Sequence, residues 1–292
     1  DGSSAASDVY KRQVLKIVDL LLIYVNQNIG YFCDEMIFNF YKYHGTGNDF
    51  IIIYGEHYVP SFSKENIIKL CDRKYGIGAD GVMLIKNHED YDFEMQFYNP
   101  DGSSSFCGNG SRCAVLFCFH NGICTKKSTF LTNDGPHKGE VLGPGTVKID
   151  IKSPVNVETL SNGDFSANTG SPHYVKFTED INYIDFISDC KAIRHSEPFN
   201  NEGINVNMVE VIKDEIKIRT FERGVEDETL SCGSGVTAAA LCYAQSNDVK
   251  ETVNVRTKGG LLKVVFSKEG NLFCDIHLIG PAQFIYRGEI QL

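Results

Sequence analysis

Two distant stretches of this chain carry the same construction: a cysteine, a glycine-rich turn and a run of helix formers. Cys107-Gly108-Asn109-Gly110-Ser111-Arg112 leads into Cys113-Ala114-Val115-Leu116-Phe117, and Cys232-Gly233-Ser234-Gly235-Val236-Thr237 leads into Ala238-Ala239-Ala240-Leu241-Cys242. The two cysteines are 125 residues apart. Thr46-Gly47-Asn48 is echoed by Thr169-Gly170-Ser171 at a spacing of 123, and Phe97 by Phe221 at 124. Three features at nearly one spacing argue for two copies of a domain-sized unit, too long for a solenoid repeat. A duplicated pair of domains with a cleft between them follows.

A cysteine just before a helix sits where unpaired backbone N–H groups and the helix dipole favour an anion. That position suits a reactive thiol and a bound carboxylate. A helix end contributes up to about 2 kcal/mol, which would bring a thiol from about 8.5 towards neutrality, and a nearby imidazole would help further. Glycine-rich flanks crowd a core badly but admit a ligand. Two such thiols, one per half, fit inversion of a carbon next to a carboxylate. One sulfur takes the proton and the other returns one on the opposite face.

The chain has 292 residues, with 28 basic and 38 acidic side chains and no basic block, which argues against nucleic acid as a partner. Ten cysteines without a Cys-x-x-Cys pair point away from zinc ribbons and dithiol redox motifs and towards a reducing cytoplasm. Cys71, Cys113, Cys118 and Cys242 lie in apolar helical runs and are expected to be inert. No metal spacing or Schiff-base motif is present, so no cofactor is expected. Val14 to Val25 is apolar but short and carries Lys16 and Asp19, so no membrane span is expected. Residues 1–35 are expected to be an artefactual or disordered extension preceding Met36.

Alternating and periodic runs predict strands over 37–43, 50–54, 82–86, 93–97, 173–177, 206–211, 216–220, 253–256, 261–266, 272–276 and 284–290. They predict helices after Ser63 (with Ile67, Ile68 and Cys71 as one stripe), after each site cysteine, and over 180–188. Many strands with about one major helix per half predict an α+β fold with mostly antiparallel sheets. Gly76-Ile77-Gly78-Ala79-Asp80-Gly81 satisfies the letter of a dinucleotide fingerprint. It follows a helix and precedes a strand, the reverse of what that fold requires.

Together, several segments resemble the diaminopimelate epimerase family. They are His44-Gly45-Thr46-Gly47-Asn48-Asp49-Phe50, Gly76 to Gly81, Phe97-Tyr98-Asn99-Pro100-Asp101-Gly102, Cys107-Gly108-Asn109-Gly110, Gly170-Ser171-Pro172-His173, Asn205-Val206-Asn207, Glu222-Arg223-Gly224 and Cys232-Gly233-Ser234-Gly235. The resemblance implies two pseudo-symmetric domains, each a barrel-like sheet around a central helix. They would span 36–152 with a returning strand at 280–292, and 153–279. It implies Cys107 and Cys232 as the acid and base, with Gly108, Asn109, Gly233 and Ser234 donating to the reacting carboxylate. Asn48, Asn99, Ser171 and Asn205 would bind substrate, Glu222 an amino group, and Arg223 the distant carboxylate. His173 and Glu222 would tune the thiols, and Tyr286 would lie in a homodimer contact.

Two positions depart from the family pattern, Ser171 for asparagine and Gly81 for glutamine, and 137–145 reads as an inserted surface loop. Racemisation of proline or hydroxyproline on the same scaffold is the alternative activity. A ligand-binding or thiol-redox protein is the alternative class.

Overall fold

The computed structural model describes residues 37–55, 62–182, 185–197 and 199–291. The expectations for residues 1–35, including the apolar run at 14–25, lie outside these. The compact body runs from Phe40 to Arg287; residues 37–39 and 288–291 fall outside it.

The first half comprises β1 (Ile37–Gly45), β2 (Asn48–Gly55), α1 (Lys64–Cys71), β3 (Gly81–Lys86), β4 (Phe93–Tyr98), α2 (Gly108–His120), β5 (Lys127–Thr132), β6 (Gly135–Gly143) and β7 (Thr146–Asp150). The second comprises β8 (Val155–Thr159), β9 (Phe165–Asn168), β10 (Pro172–Phe177), α3 (Phe186–Arg194), β11 (Asn205–Ile212), β12 (Glu215–Glu222), β13 (Asp227–Thr229), α4 (Gly233–Asn247), β14 (Thr252–Thr257), β15 (Gly260–Glu269), β16 (Leu272–Pro281) and β17 (Gln283–Gln291).

The pairing order repeats. β2 and β3 are parallel, β3 and β4 antiparallel, and β4 and β5 parallel across α2. β10 and β11, β11 and β12, and β12 and β14 across α4 repeat that sequence. Most other pairs are antiparallel, as expected, and β7 pairs β16 to tie the two runs together. Near the C-terminus the Tyr286 ring meets Phe40 edge-on at 5.9 Å, and Phe284 meets Tyr43 at 5.4 Å.

The two long helices are enclosed by strands. α2 packs on β2, β3, β4, β6 and β7, and α4 on β8 to β12 and β14 to β16, apart from β13. Beyond their first turns both are largely apolar on every side, which is why each lies inside a sheet rather than on a surface. Cys113 and Cys118 on α2 and Cys242 on α4 are buried in this core, with burial pushing each thiol up. No helix among the described residues is long and apolar enough to cross a membrane.

The structure corrects several expectations. The helix placed at 180–188 is Phe186–Arg194. The Asp180 carboxylate accepts from the Asn182 N–H at 2.8 Å, making a turn that competes with helix there. The expected loop at 137–145 is largely β6, with His137, Gly139 and Val141 facing inward. Its alternation was hidden because its inward residues include a histidine and a glycine. Gly139 is required because a Cβ there would lie 2.5 Å from Val115 Cγ2. Ser63 caps α1, accepting from the Asn66 N–H at 3.2 Å, and Ile67 and Cys71 are buried, but Ile68 is exposed and Leu70 takes the inward place. The shorter strands β5, β7, β8, β9 and β13 were not foreseen.

Candidate active site

Cys107 and Cys232 are the N-cap residues of α2 and α4. The helix starts abut. A Cβ on Gly233 would lie 3.5 Å from Gly108 Cα and 3.4 Å from Asn109 Oδ1, ordinary contact distances that put the two ends side by side, and 3.1 Å from Leu278 Cδ2, which would have to give way. The His44–Asp49 turn closes over the same place. Thr46 adopts φ +54, and a Cβ on Gly259 would strike its carbonyl oxygen.

Cys107 Sγ accepts from the Gly110 N–H at 3.3 Å and faces Asn48 Oδ1 at 4.0 Å. Burial pushes its pKa up to about 11, the Glu222 carboxylate adds to the rise, and the Gly110 amide and the Arg112 cation oppose it. Cys232 makes no cap bond and lies 3.4 Å from Ser234 Oγ. Burial pushes its thiol higher still, with Glu222 and Cys107 adding. The expectation that helix ends bring these thiols to neutrality does not hold, because desolvation of a buried thiolate outweighs the dipole.

His173 is fully buried, and burial holds its pKa down at about 3. Its Nδ1 faces the Asn207 amide at 3.2 Å, and its Nε2 lies 2.9 Å from both Ser171 Oγ and Ser234 Oγ. Asn207 can only donate there, so Nδ1 accepts and Nε2 carries the proton. The ring is therefore a neutral donor that orients Ser234 beside Cys232.

A cavity of about 590 Å³ joins contributions from both halves. Asn99, Phe106, Ser171, Asn205, Glu222, Arg223, Cys232 and Ser234 line it. Asn48 and Asn109 lie alongside: the Asn109 amide donates to Asn48 Oδ1 at 3.2 Å and to the Ser231 carbonyl at 2.9 Å. Asn99 donates to Ser103 and Ser105. Asn205 donates to Ser171 Oγ at 3.2 Å and the Pro172 carbonyl at 3.0 Å, and its Oδ1 accepts from the Arg223 N–H at 2.9 Å. The Arg223 guanidinium donates to the Glu202 carbonyl at 2.9 Å. Burial raises the Glu222 carboxyl above its ordinary range. Tyr286 stands apart on β17, exposed together with Phe284 and Ile285.

The matching family model is described as diaminopimelate epimerase and covers residues 40–157 and 165–285. The chain belongs to the diaminopimelate epimerase family. A diaminopimelate epimerase of Flavobacterium psychrophilum is 42% identical over 258 residues, 86% of this chain and 99% of that protein. One from Aquifex aeolicus is 40% identical, covering 86% and 97%. A solved PhzF-family phenazine biosynthesis protein of Bacillus anthracis superposes with TM-score 0.66 at 15% identity, over 88% of this chain and all of that one. A hydroxyproline epimerase from Agrobacterium vitis gives 0.66 at 14%, over 88% and 93%. At such identities the likeness speaks for the fold alone.

Within this epimerase family pattern, the two departures have local explanations. A Cβ on Gly81 would lie 2.5 Å from Phe97 Cε2, so this backbone has no room for glutamine. Ser171 Oγ reaches both Ser234 and Asn205 at 3.2 Å and stays inside the His173 network.

Sequence reasoning missed four contributors. Asp80 accepts from the Asn48 amide at 2.8 Å and stood in the segment dismissed as a nucleotide decoy. Asn207 stood two residues along the strand from Asn205, a spacing that places both on one face. Phe106 precedes Cys107 and lines the cavity. Arg112 is fully buried beneath Asn109 and donates to its Oδ1 at 2.8 Å.

Proposed function

We propose that this chain inverts an α-carbon of diaminopimelate, interconverting the LL and meso forms on the way to lysine and peptidoglycan precursors. The reading is carried by one observation: cysteines cap two helices whose first residues touch, with Cys232 and Phe106, the neighbour of Cys107, lining one cavity. One sulfur, as thiolate, removes the α-proton, and the other, as thiol, delivers a proton to the opposite face. The charge left on the α-carbon spreads into the neighbouring carboxylate. The first N–H groups of α2 and α4, at Gly108, Asn109, Gly233 and Ser234, stabilise it there.

Glu222 takes the α-ammonium. Its carboxylate pushes both thiols up. A bound ammonium would neutralise that effect, so substrate would itself favour thiolate formation. Arg223 grips the distal carboxylate in two-pronged fashion. Asn48, Asn99, Ser171 and Asn205 fix the substrate's polar groups. His173 acts on Cys232 through Ser234. Proline lacks a second charged end for Arg223, which disfavours the racemase alternative.

The body is read as two domains, 36–152 with 280–292 and 153–279. The exposed apolar residues about Tyr286 are read as the contact of a cytoplasmic homodimer, which requires that Tyr286→Glu sediment as a monomer. Incubation with diaminopimelate in deuterated water tests the activity. Deuterium must enter at the α-carbon of diaminopimelate and not of proline; labelled proline or unlabelled diaminopimelate refutes the reading.

A further inference from the structure

Arg112 presents a problem that the reaction as described does not use. Its guanidinium is fully buried in the second turn of α2. Among the described residues every acceptor it finds is neutral: Asn109 Oδ1 at 2.8 Å, Thr46 Oγ1 and the Gly108 carbonyl at 3.3 Å, and the Pro281 carbonyl at 3.4 Å. A buried cation without a counter-charge is costly, and proteins retain one where an anion forms nearby.

The second half shows that the helix does not need this cation. Thr237 occupies the place equivalent to Arg112, the same five residues beyond its cysteine, and its hydroxyl donates to the Gly233 carbonyl at 2.9 Å. Arg112 makes the corresponding bond to Gly108. A neutral hydroxyl satisfies the local backbone, so the charge calls for another explanation.

We propose that Arg112 is the fixed buried cation that makes Cys107, rather than Cys232, the readily ionised thiol of the pair. The guanidinium binds the Gly108 carbonyl, next to Cys107, and Asn109, whose amide reaches the Asn48 Oδ1 that the Cys107 sulfur faces at 4.0 Å; Cys113 and Cys107 are the thiols acting on it, and Glu222 is the carboxylate opposing it at Cys107. At Cys232 the acting neighbours are Glu222, Ser234, the Gly235 amide and Cys107, while the cation on that side, Arg223, lines the shared cavity with its guanidinium bound to the Glu202 carbonyl at 2.9 Å. With Cys107 as thiolate, the resting enzyme holds its base on the first half and its acid on the second. Arg112 touches no reacting atom in this scheme and works as a positioning residue.

The inference builds on the two-thiol reading but is tested without substrate or turnover, so its failure is distinct from failure of deuterium exchange. The readout is the pH dependence of alkylation of each cysteine by iodoacetamide, resolved by peptide mass spectrometry in the full chain. In the unaltered protein the Cys107 midpoint is expected to lie below that of Cys232. Arg112→Met is expected to raise the Cys107 midpoint by about one pH unit or more while leaving Cys232 in place. Arg112→Lys is expected to keep it low. A purely structural role would lower thermal stability without moving the Cys107 midpoint.

A folded Arg112→Met variant with an unmoved Cys107 midpoint overturns the proposal. So does a Cys107 midpoint equal to or above that of Cys232 in the unaltered chain. That second measurement decides the matter should the methionine variant fail to fold.

Discussion

The two cysteine-capped helices share a backbone plan but not an environment. At α2 the sulfur accepts an amide hydrogen bond, is partly open, and has a buried guanidinium one turn away. At α4 the sulfur is buried, takes no cap bond and rests against a serine hydroxyl held by a neutral histidine. Duplication supplied two equivalent acid–base positions, and the side chains around them diverged. A symmetric chemical task, removing a proton from either face, is thus performed by two sulfurs that ionise unequally. Burial opposes both thiolates, so a small number of nearby dipoles and charges decides which forms first.

The strongest challenge to this comparison is removal of either sulfur. Cys107→Ser and Cys232→Ser are each expected to lower kcat by ~10²–10⁴-fold, the usual worth of a positioned acid–base group. Because each direction of the reaction needs both sulfurs, the losses should be similar forwards and backwards. A near-normal rate in either variant, measured by circular dichroism of the two stereoisomers, would remove that half from the chemistry.

A finer probe adds one methyl group at the equivalent glycine of each helix. A Cβ on Gly235 would lie 2.6 Å from Asn207 Oδ1, inside the network that fixes His173. At Gly110 its nearest contact is the Met83 sulfur at 3.2 Å. Overpacking typically costs about 1–3 kcal/mol, and a thioether yields more readily than a hydrogen-bonded amide. Gly235→Ala should therefore lower thermal stability and activity clearly more than Gly110→Ala. Equal losses in thermal melts and initial rates would mean that the His173–Asn207 support is no stiffer than its counterpart.

Much of this asymmetry was out of reach of the sequence, for identifiable reasons. The repeat, the two helix starts and the alternating strands were legible because each is a local pattern of spacing and turn chemistry. β6 was not, since His137 and Gly139 in its inward positions disguise a period of two. The small strands β8, β9 and β13 are 3 to 5 residues long, too short for periodicity to register. Cys107 and Cys232 were legible as a pair, but their ionisation depends on burial and on Glu222, which is remote in sequence from Cys107. Arg112 and Asn207 stood inside segments already recognised. What distinguishes them is burial without a charged partner and contact across strands, neither of which a linear pattern records.

The two buried histidines, one per half, offer the gentlest contrast, and its sign is opposite in each. Burial alone would lower the pKa of His137, but Asp134 at 3.1 Å and Asp150 at 3.0 Å outweigh it and push the ring up to about 9. Its folded value lies above the unfolded value of about 6.5. Its contribution is therefore complete below about pH 6.5 and lost as pH rises towards 9, on the order of 3 kcal/mol in all. His173 has its folded value depressed to about 3 by burial, so its contribution is present above about pH 6.5 and lost as pH falls towards 3. The unfolding free energy from urea titrations should therefore decline on both sides of about pH 6.5. His137→Gln is expected to flatten the alkaline limb while leaving the part of the acid limb that His173 sets; below about pH 4 it also removes the contact that holds the Asp134 carboxyl low. If His137→Gln left the slope between pH 7 and 9 unchanged, the imidazolium held between Asp134 and Asp150 would not be the charged anchor beneath Phe106, whose ring stacks on it at 4.6 Å.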